Sequence, residues 1–250
     1  MEINLSDKVV IITGGSNGIG KALVRAFARE KCKVIFTYLN SEEKAKELEE
    51  EMRSQLLCVE GYRVDNRASD EISAFVKKVA EKYKRIDVLV NNAGFISRGL
   101  FLNTSNEVIE KTVETNTYGT VNFCKAVLKY MMLNKSGSII NMTSVSSLQP
   151  SVGQAAYSLS KAAIESLTKT MAIEYGKYNI RVNAIAPGLV DTDVVKSITE
   201  KRKKEIQKYT PLGKNASTDD ISNAAIFLAS EMASHITGIQ LLVTGGRHLI

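Results

Sequence analysis

Short apolar runs alternate with longer amphipathic segments along the whole chain. Residues 8–13 (K-V-V-I-I-T), 33–38 (K-V-I-F-T-Y), 56–59, 86–90, 138–142, 180–185 and 240–243 are compact, β-branched and almost continuously apolar. Strands buried on both faces have that character. Between them lie polar stretches with apolar residues at helical spacing, as in Ala22, Leu23, Ala26 and Phe27 of the segment 21–30. The same reading predicts helices over 41–53, 69–83, 106–132, 154–177 and 218–230, and a helical lid region over 191–209. Strict strand–helix alternation predicts an α/β fold, a single-domain Rossmann-type doubly wound parallel sheet of about seven strands with helices on both faces. Ligands in that architecture sit beyond the carboxyl ends of the strands. Gly14, Asn91, Ser144 and Pro187 all follow predicted strand ends, so one edge of the sheet is expected to gather one site.

The first strand runs into Thr13-Gly14-Gly15-Ser16-Asn17-Gly18-Ile19-Gly20 and then into a helix. A strand, a glycine turn and a helix N-terminus make an anion site, because free backbone N–H groups and the helix dipole point at a phosphate. Gly14, Gly18 and Gly20 are the expected essential positions. Two nucleotide readings compete. Gly15 to Lys21 fits the start of a G-x-x-x-x-G-K phosphate loop, but Ala22 stands where that loop needs Ser or Thr to hold magnesium. The dinucleotide reading expects a second strand after the helix, and residues 33–38 supply it, although the glycine spacing is not the standard G-x-G-x-x-G.

Further along, Tyr157 and Lys161 share a helix face at i, i+4, with Ser144 thirteen residues before the tyrosine. A free phenol has a pKa of about 10. An ammonium ~5 Å from the phenol oxygen, at an effective dielectric of ~20, favours the phenolate by roughly 3 kcal/mol. That predicts a tyrosine lowered towards working pH as a proton donor, with Ser144 holding a carbonyl or alcohol oxygen beside it.

Composition narrows the function classes. The chain has 250 residues with 3 prolines and a net charge of +6, and shows neither a repeat nor a linker-like tract. The start, M-E-I-N-L-S-D-K, lacks the basic and apolar regions of a signal peptide, and no apolar run approaches the ~20 residues of a membrane span. Cys32, Cys58 and Cys124 are odd in number and widely spaced, which reads as reduced thiols of a cytoplasmic protein. Two histidines, His235 and His248, make a histidine-based metal site unexpected. Much of the basic excess lies in 196–208, K-S-I-T-E-K-R-K-K-E-I-Q-K. It reads as a solvated helix face or as a dock for an acidic partner or anionic substrate tail. A nucleic-acid partner is not expected, since no aromatic interleaving or DNA-binding motif accompanies it.

Taken together, Thr13-Gly14-x-x-x-Gly18-x-Gly20, Asn91-Asn92-Ala93-Gly94, Asn116, Ser144, Tyr157-x-x-x-Lys161 and Pro187-Gly188 resemble the classical short-chain dehydrogenase/reductase family over essentially the whole chain. Length, motif spacing and V-N-A-I-A-P-G at 182–188 are most similar to the β-ketoacyl-(acyl-carrier-protein) reductases. The resemblance implies a cytoplasmic NAD(P)-dependent oxidoreductase of fatty acid or polyketide biosynthesis. It implies Tyr157 as general acid, Lys161 as the residue that tunes it and holds the nicotinamide ribose, Ser144 orienting the substrate carbonyl, and Asn116 holding a relay water. A cofactor-binding part over about 1–140 and a catalytic and substrate part over about 141–250, with a lid over 189–212, are implied. The cofactor would meet Gly14, Ser16, Asn17, Gly18, Ile19 and Gly20, then Tyr38, Asn40, Asp65 and Asn66. It would run on along Asn92, Ala93 and Gly94 to Tyr157 and Lys161, with Pro187, Gly188, Val190 and Thr192 at its nicotinamide end. Substrate would meet Ser144, Val145, Gln154, Tyr157 and Leu189.

No acid ends the second strand, where Tyr38, Leu39 and Asn40 stand. A 2′-phosphate is then not repelled, which favours NADPH/NADP+ over NADH/NAD+, with Lys44 in reach of it. Lys135 and, beside Tyr178, Lys177 fall where carrier-protein reductases keep basic residues for an acidic acyl carrier protein. The family also implies a homotetramer, paired through the helices of Asn116 and Tyr157 and the C-terminal segment. The expected substrate is a ketone or acyl thioester. The alternatives are a secondary-alcohol dehydrogenase and a non-catalytic dinucleotide-binding protein.

Overall fold

The computed structural model describes residues 3–192 and 207–249. Seven strands form one parallel sheet: β1 (Val9–Ile12), β2 (Lys33–Tyr38), β3 (Val59–Arg63), β4 (Val88–Asn91), β5 (Gly137–Met142), β6 (Ile180–Pro187) and β7 (Gln240–Val243). Their order is β3-β2-β1-β4-β5-β6-β7, so the direction of winding reverses between β1 and β4. A crevice opens beyond the strand carboxyl ends at such a reversal.

Side-chain alternation in the strands divides the core. Val10 and Ile12 of β1 face one layer, built from α1 (Gly18–Arg29), α2 (Glu42–Ser54) and α7 (Thr218–Ala229), with Leu23, Phe27, Leu48, Met52 and Leu228 fully enclosed. Val9 and Ile11 face the other, built from α3 (Ser69–Tyr83), α5 (Gly119–Asn134) and α6 (Ala155–Tyr175), where Ile72, Phe123, Val127 and Met131 pack. Both faces are therefore apolar, as the continuous apolar runs require.

Two expected elements differ. The third strand begins at Val59 rather than at residue 56. Leu56 stands at a φ of 60° and is 96% exposed, and the N–H of Leu57 bonds the Met52 carbonyl. Leu56 and Leu57 thus terminate α2 with a left-handed cap, and the strand is built from V-E-G-Y-R at the sheet edge. The long helix expected over 106–132 is divided. α4 (Asn106–Val113) passes through a π-helical turn, Glu114–Tyr118, before α5 begins. The N–H of Gly119 reaches back five residues to the Glu114 carbonyl. Most of the lid region expected over 191–209 lies outside the described residues.

Candidate active site

Beyond the carboxyl ends of the strands lies a cleft of about 1440 Å³. Its first wall is the glycine turn between β1 and α1. Gly14 and Gly18 have φ of 67° and 49°, conformations that suit glycine. A side chain at Gly20 would meet the Gly14 carbonyl oxygen at 2.0 Å, so the turn closes on itself where the helix begins. Asn17, at the N-cap, makes no side-chain bond to the first turn of α1. Its Nδ2 instead donates to Ser41 Oγ at 2.9 Å and Ser16 Oγ at 3.2 Å. The N–H groups of the first helical turn are left for an anion.

The second wall is Asn92-Ala93-Gly94, after β4. Thr13 Oγ1 accepts from the N–H groups of Asn92 (3.0 Å) and Ala93 (2.9 Å), and Asn92 Nδ2 donates to the carbonyls of Thr13 and Gly14. These bonds lock the two strand ends together, leaving a flat channel into which Gly94 presents no side chain. Tyr38, Leu39, Asn40 and Ser41 continue the lining after β2, with Lys44 beside them. Asp65, Asn66 and Arg67 follow β3. Arg67 takes both carboxylate oxygens of Asp65, Nη2 to Oδ2 at 2.6 Å, and its guanidinium holds the Asp65 carboxyl below its usual range.

The reactive side chains close the far end. Ser144 follows β5; it is buried and accepts from the Ser146 N–H at 3.1 Å, which starts a short 3-10 turn, Val145–Ser147. Ser146 Oγ donates to Gln154 Oε1 at 3.0 Å, tying this turn to the start of α6. Tyr157 and Lys161 stand one turn apart on α6. Burial pushes the Tyr157 phenol up, and a hydrogen bond with Ser144 pulls it back down. Burial also brings the Lys161 amine down to about 8, although its Nζ donates to the Met142 carbonyl at 2.7 Å.

The expected lowering of Tyr157 by Lys161 is therefore corrected. In the polypeptide alone desolvation outweighs it for both groups, because both are enclosed and Lys161 Nζ sits 5.8 Å from the centre of the phenol ring. A raised phenol keeps its proton at neutral pH, which is the form a proton donor needs.

Asn116 does not line the cleft. It is fully buried in the π-helical turn behind Phe95. Its Oδ1 accepts from the Phe95 N–H at 3.0 Å, while Nδ2 donates to the Phe95 carbonyl (3.1 Å) and to Ser160 Oγ (3.0 Å). Its side chain is thus committed to fixing the loop after Gly94 against α6, next to Lys161. The cleft brings together the other cofactor and substrate residues expected of the site, including Ile19, Val145, Pro187, Gly188, Leu189, Val190 and Thr192. Asn91 is an exception, a buried residue whose Nδ2 donates to Asn141 Oδ1 at 2.8 Å inside the sheet.

Lys135 and Lys177 are not beside the cleft. Each precedes a strand, and Gly137 and Ile180 pair at the opposite, amino-terminal edge of the sheet. The expectation that they flank the pocket of their own chain is corrected by this topology. Arg98, Lys111, Thr115 and Arg247 line the cleft and were not expected. The i, i+4 spacing of Lys111 and Thr115 is the signal that finds the helix face concerned.

The cradle fits a dinucleotide: a turn that excludes side chains, an open helix N-terminus and a channel leading to Ser144, Tyr157 and Lys161. Among the described residues no group of three or more His, Cys, Asp or Glu gathers to hold a metal. The chain is similar to known proteins along nearly its whole length. A family profile described as enoyl-(acyl carrier protein) reductase matches residues 14–248. The 3-oxoacyl-(acyl-carrier-protein) reductase FabG of Chlamydia trachomatis is 40% identical over 97% of the chain and 98% of its own length. That of Thermotoga maritima is 36% identical over 98% and 99%. Among solved structures, a gluconate 5-dehydrogenase from Burkholderia cenocepacia, in complex with NADP and tartrate, superposes with a TM-score of 0.94 at 29% identity. The match covers 99% of this chain and 97% of that one.

Proposed function

Since the chain belongs to the short-chain dehydrogenase/reductase family of oxidoreductases, we propose that it reduces a 3-oxoacyl thioester with NADPH, with Tyr157 as the proton donor. The observation that carries this reading is the meeting of Ser144, Tyr157 and Lys161 at the end of a glycine-walled channel, in a chain similar along its length to 3-oxoacyl-(acyl-carrier-protein) reductases. The dinucleotide, when bound, supplies the hydride.

The residues do the rest. Ser144 donates a hydrogen bond to the substrate carbonyl oxygen and aligns it with the phenol. Tyr157 transfers its proton to that oxygen as negative charge develops there. The charge left on the phenolate is met by Lys161, protonated at neutral pH because its amine titrates near 8. Asn116 acts indirectly, holding Phe95 and Ser160 and through them the walls around Lys161. Lys44 beside Tyr38 and Asn40, with no unpaired acid among the described residues lining that end, supports a 2′-phosphate and hence NADPH. Assembly as a homotetramer is supported by exposed apolar side chains on the helices of Asn116 and Tyr157, namely Tyr118 (58%), Leu159 (54%) and Ile173 (84%).

The test is acetoacetyl-thioester reduction by the purified chain with NADPH and with NADH. Tyr157→Phe is expected to lower turnover by ~10²–10⁴-fold with dinucleotide binding retained. Retained turnover would remove Tyr157 from the role. The second reading, oxidation of a secondary alcohol, is favoured by the solved gluconate 5-dehydrogenase. Turnover of hydroxy acids with NAD+ or NADP+, and none of thioesters, would replace the first reading with it.

A further inference from the structure

Among the described residues, charge on the cleft lining is one-sided. The carboxylate on its lining is Asp65, already neutralised by Arg67 at the adenosine end. At the substrate end Arg98 and Lys111 line it, and among the described residues neither forms an ion pair. They are held on adjoining elements. Thr112 Oγ1 donates to the Val108 carbonyl at 2.6 Å and meets the Ser97 hydroxyl at 3.1 Å, and Lys111 Nζ lies 5.8 Å from the centre of the Phe95 ring. The loop bearing Arg98 is thereby fastened to the helix bearing Lys111. Glu107, Glu110 and Glu114 of that helical stretch are not on the lining.

The same rim also carries exposed apolar side chains. Leu100 is 58% exposed and Val152 90% exposed, and both border the cleft. The Gly99 N–H bonds the Gly153 carbonyl at 3.0 Å, which joins the two loops into one rim. A ligand suited to this end is apolar on one branch and anionic on the other. A 3-oxoacyl thioester of a pantetheine arm has that character, with an acyl chain on one side of the ketone and a phosphate ester ending the arm on the other.

On the thioester reading above, we propose that Arg98 and Lys111 bind the phosphate of a 4′-phosphopantetheine arm, a group shared by acyl-carrier and coenzyme A thioesters. Charge-assisted bonds from a guanidinium and an ammonium to phosphate suit two exposed cations with no competing acid among the described residues of the lining.

The experiment compares kcat/KM for acetoacetyl-4′-phosphopantetheine and acetoacetyl-pantetheine, which differ in the phosphate alone, in the parent and in Arg98→Gln and Lys111→Gln. The parent is expected to prefer the phosphorylated ester by about tenfold or more at low salt, less at high salt. Each substitution is expected to reduce that ratio by about tenfold or to unity. Acetoacetyl-coenzyme A and the acetoacetyl carrier protein should both lose in the variants. A parent that does not discriminate between the pantetheine esters overturns the proposal, even if a variant folds poorly. So does a loss in both esters that leaves the ratio unchanged, or a loss confined to the carrier protein, which would assign these residues to a protein surface. Reduction of both esters at equal kcat/KM removes this inference and leaves the thioester reading standing. Reduction of neither, with turnover of another ketone or alcohol, removes both.

Discussion

Lys161 is charged at neutral pH against the preference of its surroundings, and the opposition is measurable. Its amine titrates near 8 in the fold instead of at the usual 10.5, through burial. At about 1.4 kcal/mol per pKa unit, keeping it protonated costs the fold about 3 kcal/mol near pH 7. The penalty is full below pH 8, where folded and unfolded chains both hold the proton. Between 8 and 10.5 the unfolded chain binds a proton that the folded chain has released, so stability rises with pH across that window. Lys161→Met keeps the stem and removes the charge, at the loss of the bond to the Met142 carbonyl. An unpaired buried acceptor costs about 1–3 kcal/mol. The inactive variant is therefore expected to equal or exceed the parent in stability near pH 7, by up to about 2 kcal/mol. By about pH 9.5 the parent regains about 2 kcal/mol that the variant does not. Urea unfolding of both proteins at the two pH values, followed by circular dichroism, cancels the titration of all other groups. Parallel pH dependence in parent and variant would refute the reasoning, because it would mean that Lys161 titrates normally.

Two other expectations concern the cradle and the thiols. Gly20→Ala, with its new Cβ 2.0 Å from the Gly14 oxygen, is expected to lower the unfolding midpoint and abolish dinucleotide binding in a fluorescence titration. Parent-like binding would show that the turn yields. Cys32 and Cys124 are buried, with burial pushing both thiols up to about 12, while Cys58 is exposed. A thiolate reagent should therefore titrate one cysteine in the native protein and three after unfolding, and a second rapid native equivalent would contradict the burial.

Much of this could be read from residue order, for physical reasons that differ by element. β2, α3 and β7 run over the residues that periodicity predicts, since nothing but pattern and burial decides them. The third strand escaped because V-E-G-Y-R at a sheet edge carries no apolar run, whereas Leu56 and Leu57, which do, finish a helix. The clustering of Gly14, Ser144 and Pro187 was legible because strand ends in an alternating fold share an edge, whereas Asn91, expected with them, turns into the sheet and bonds Asn141. Electrostatics were not: a charge pair at i, i+4 is visible in sequence, but the desolvation that outweighs it depends on how closely β5, α6 and the Gly94 loop enclose Tyr157 and Lys161. Lys135 and Lys177 obey the same rule: each precedes a strand, and in an alternating parallel fold the residues before strands gather at the amino-terminal edge, away from the cleft.

The π-helical turn at Glu114–Tyr118 makes one continuous helix behave as two parts with a fixed joint. Such a turn holds one residue more than an α-helical turn, and each residue advances a helix by about 100°. Losing any one residue from 114–118 would produce a more regular helix and a worse protein. Either Lys111 and Thr112 would swing away from the cleft loop, or Phe123 and Val127 would leave the core. Length variation that a surface loop absorbs without effect is barred here, so the spacing between Thr112 and Phe123 constrains any redesign, graft or truncation of this helix as firmly as the identity of Asn116 between them.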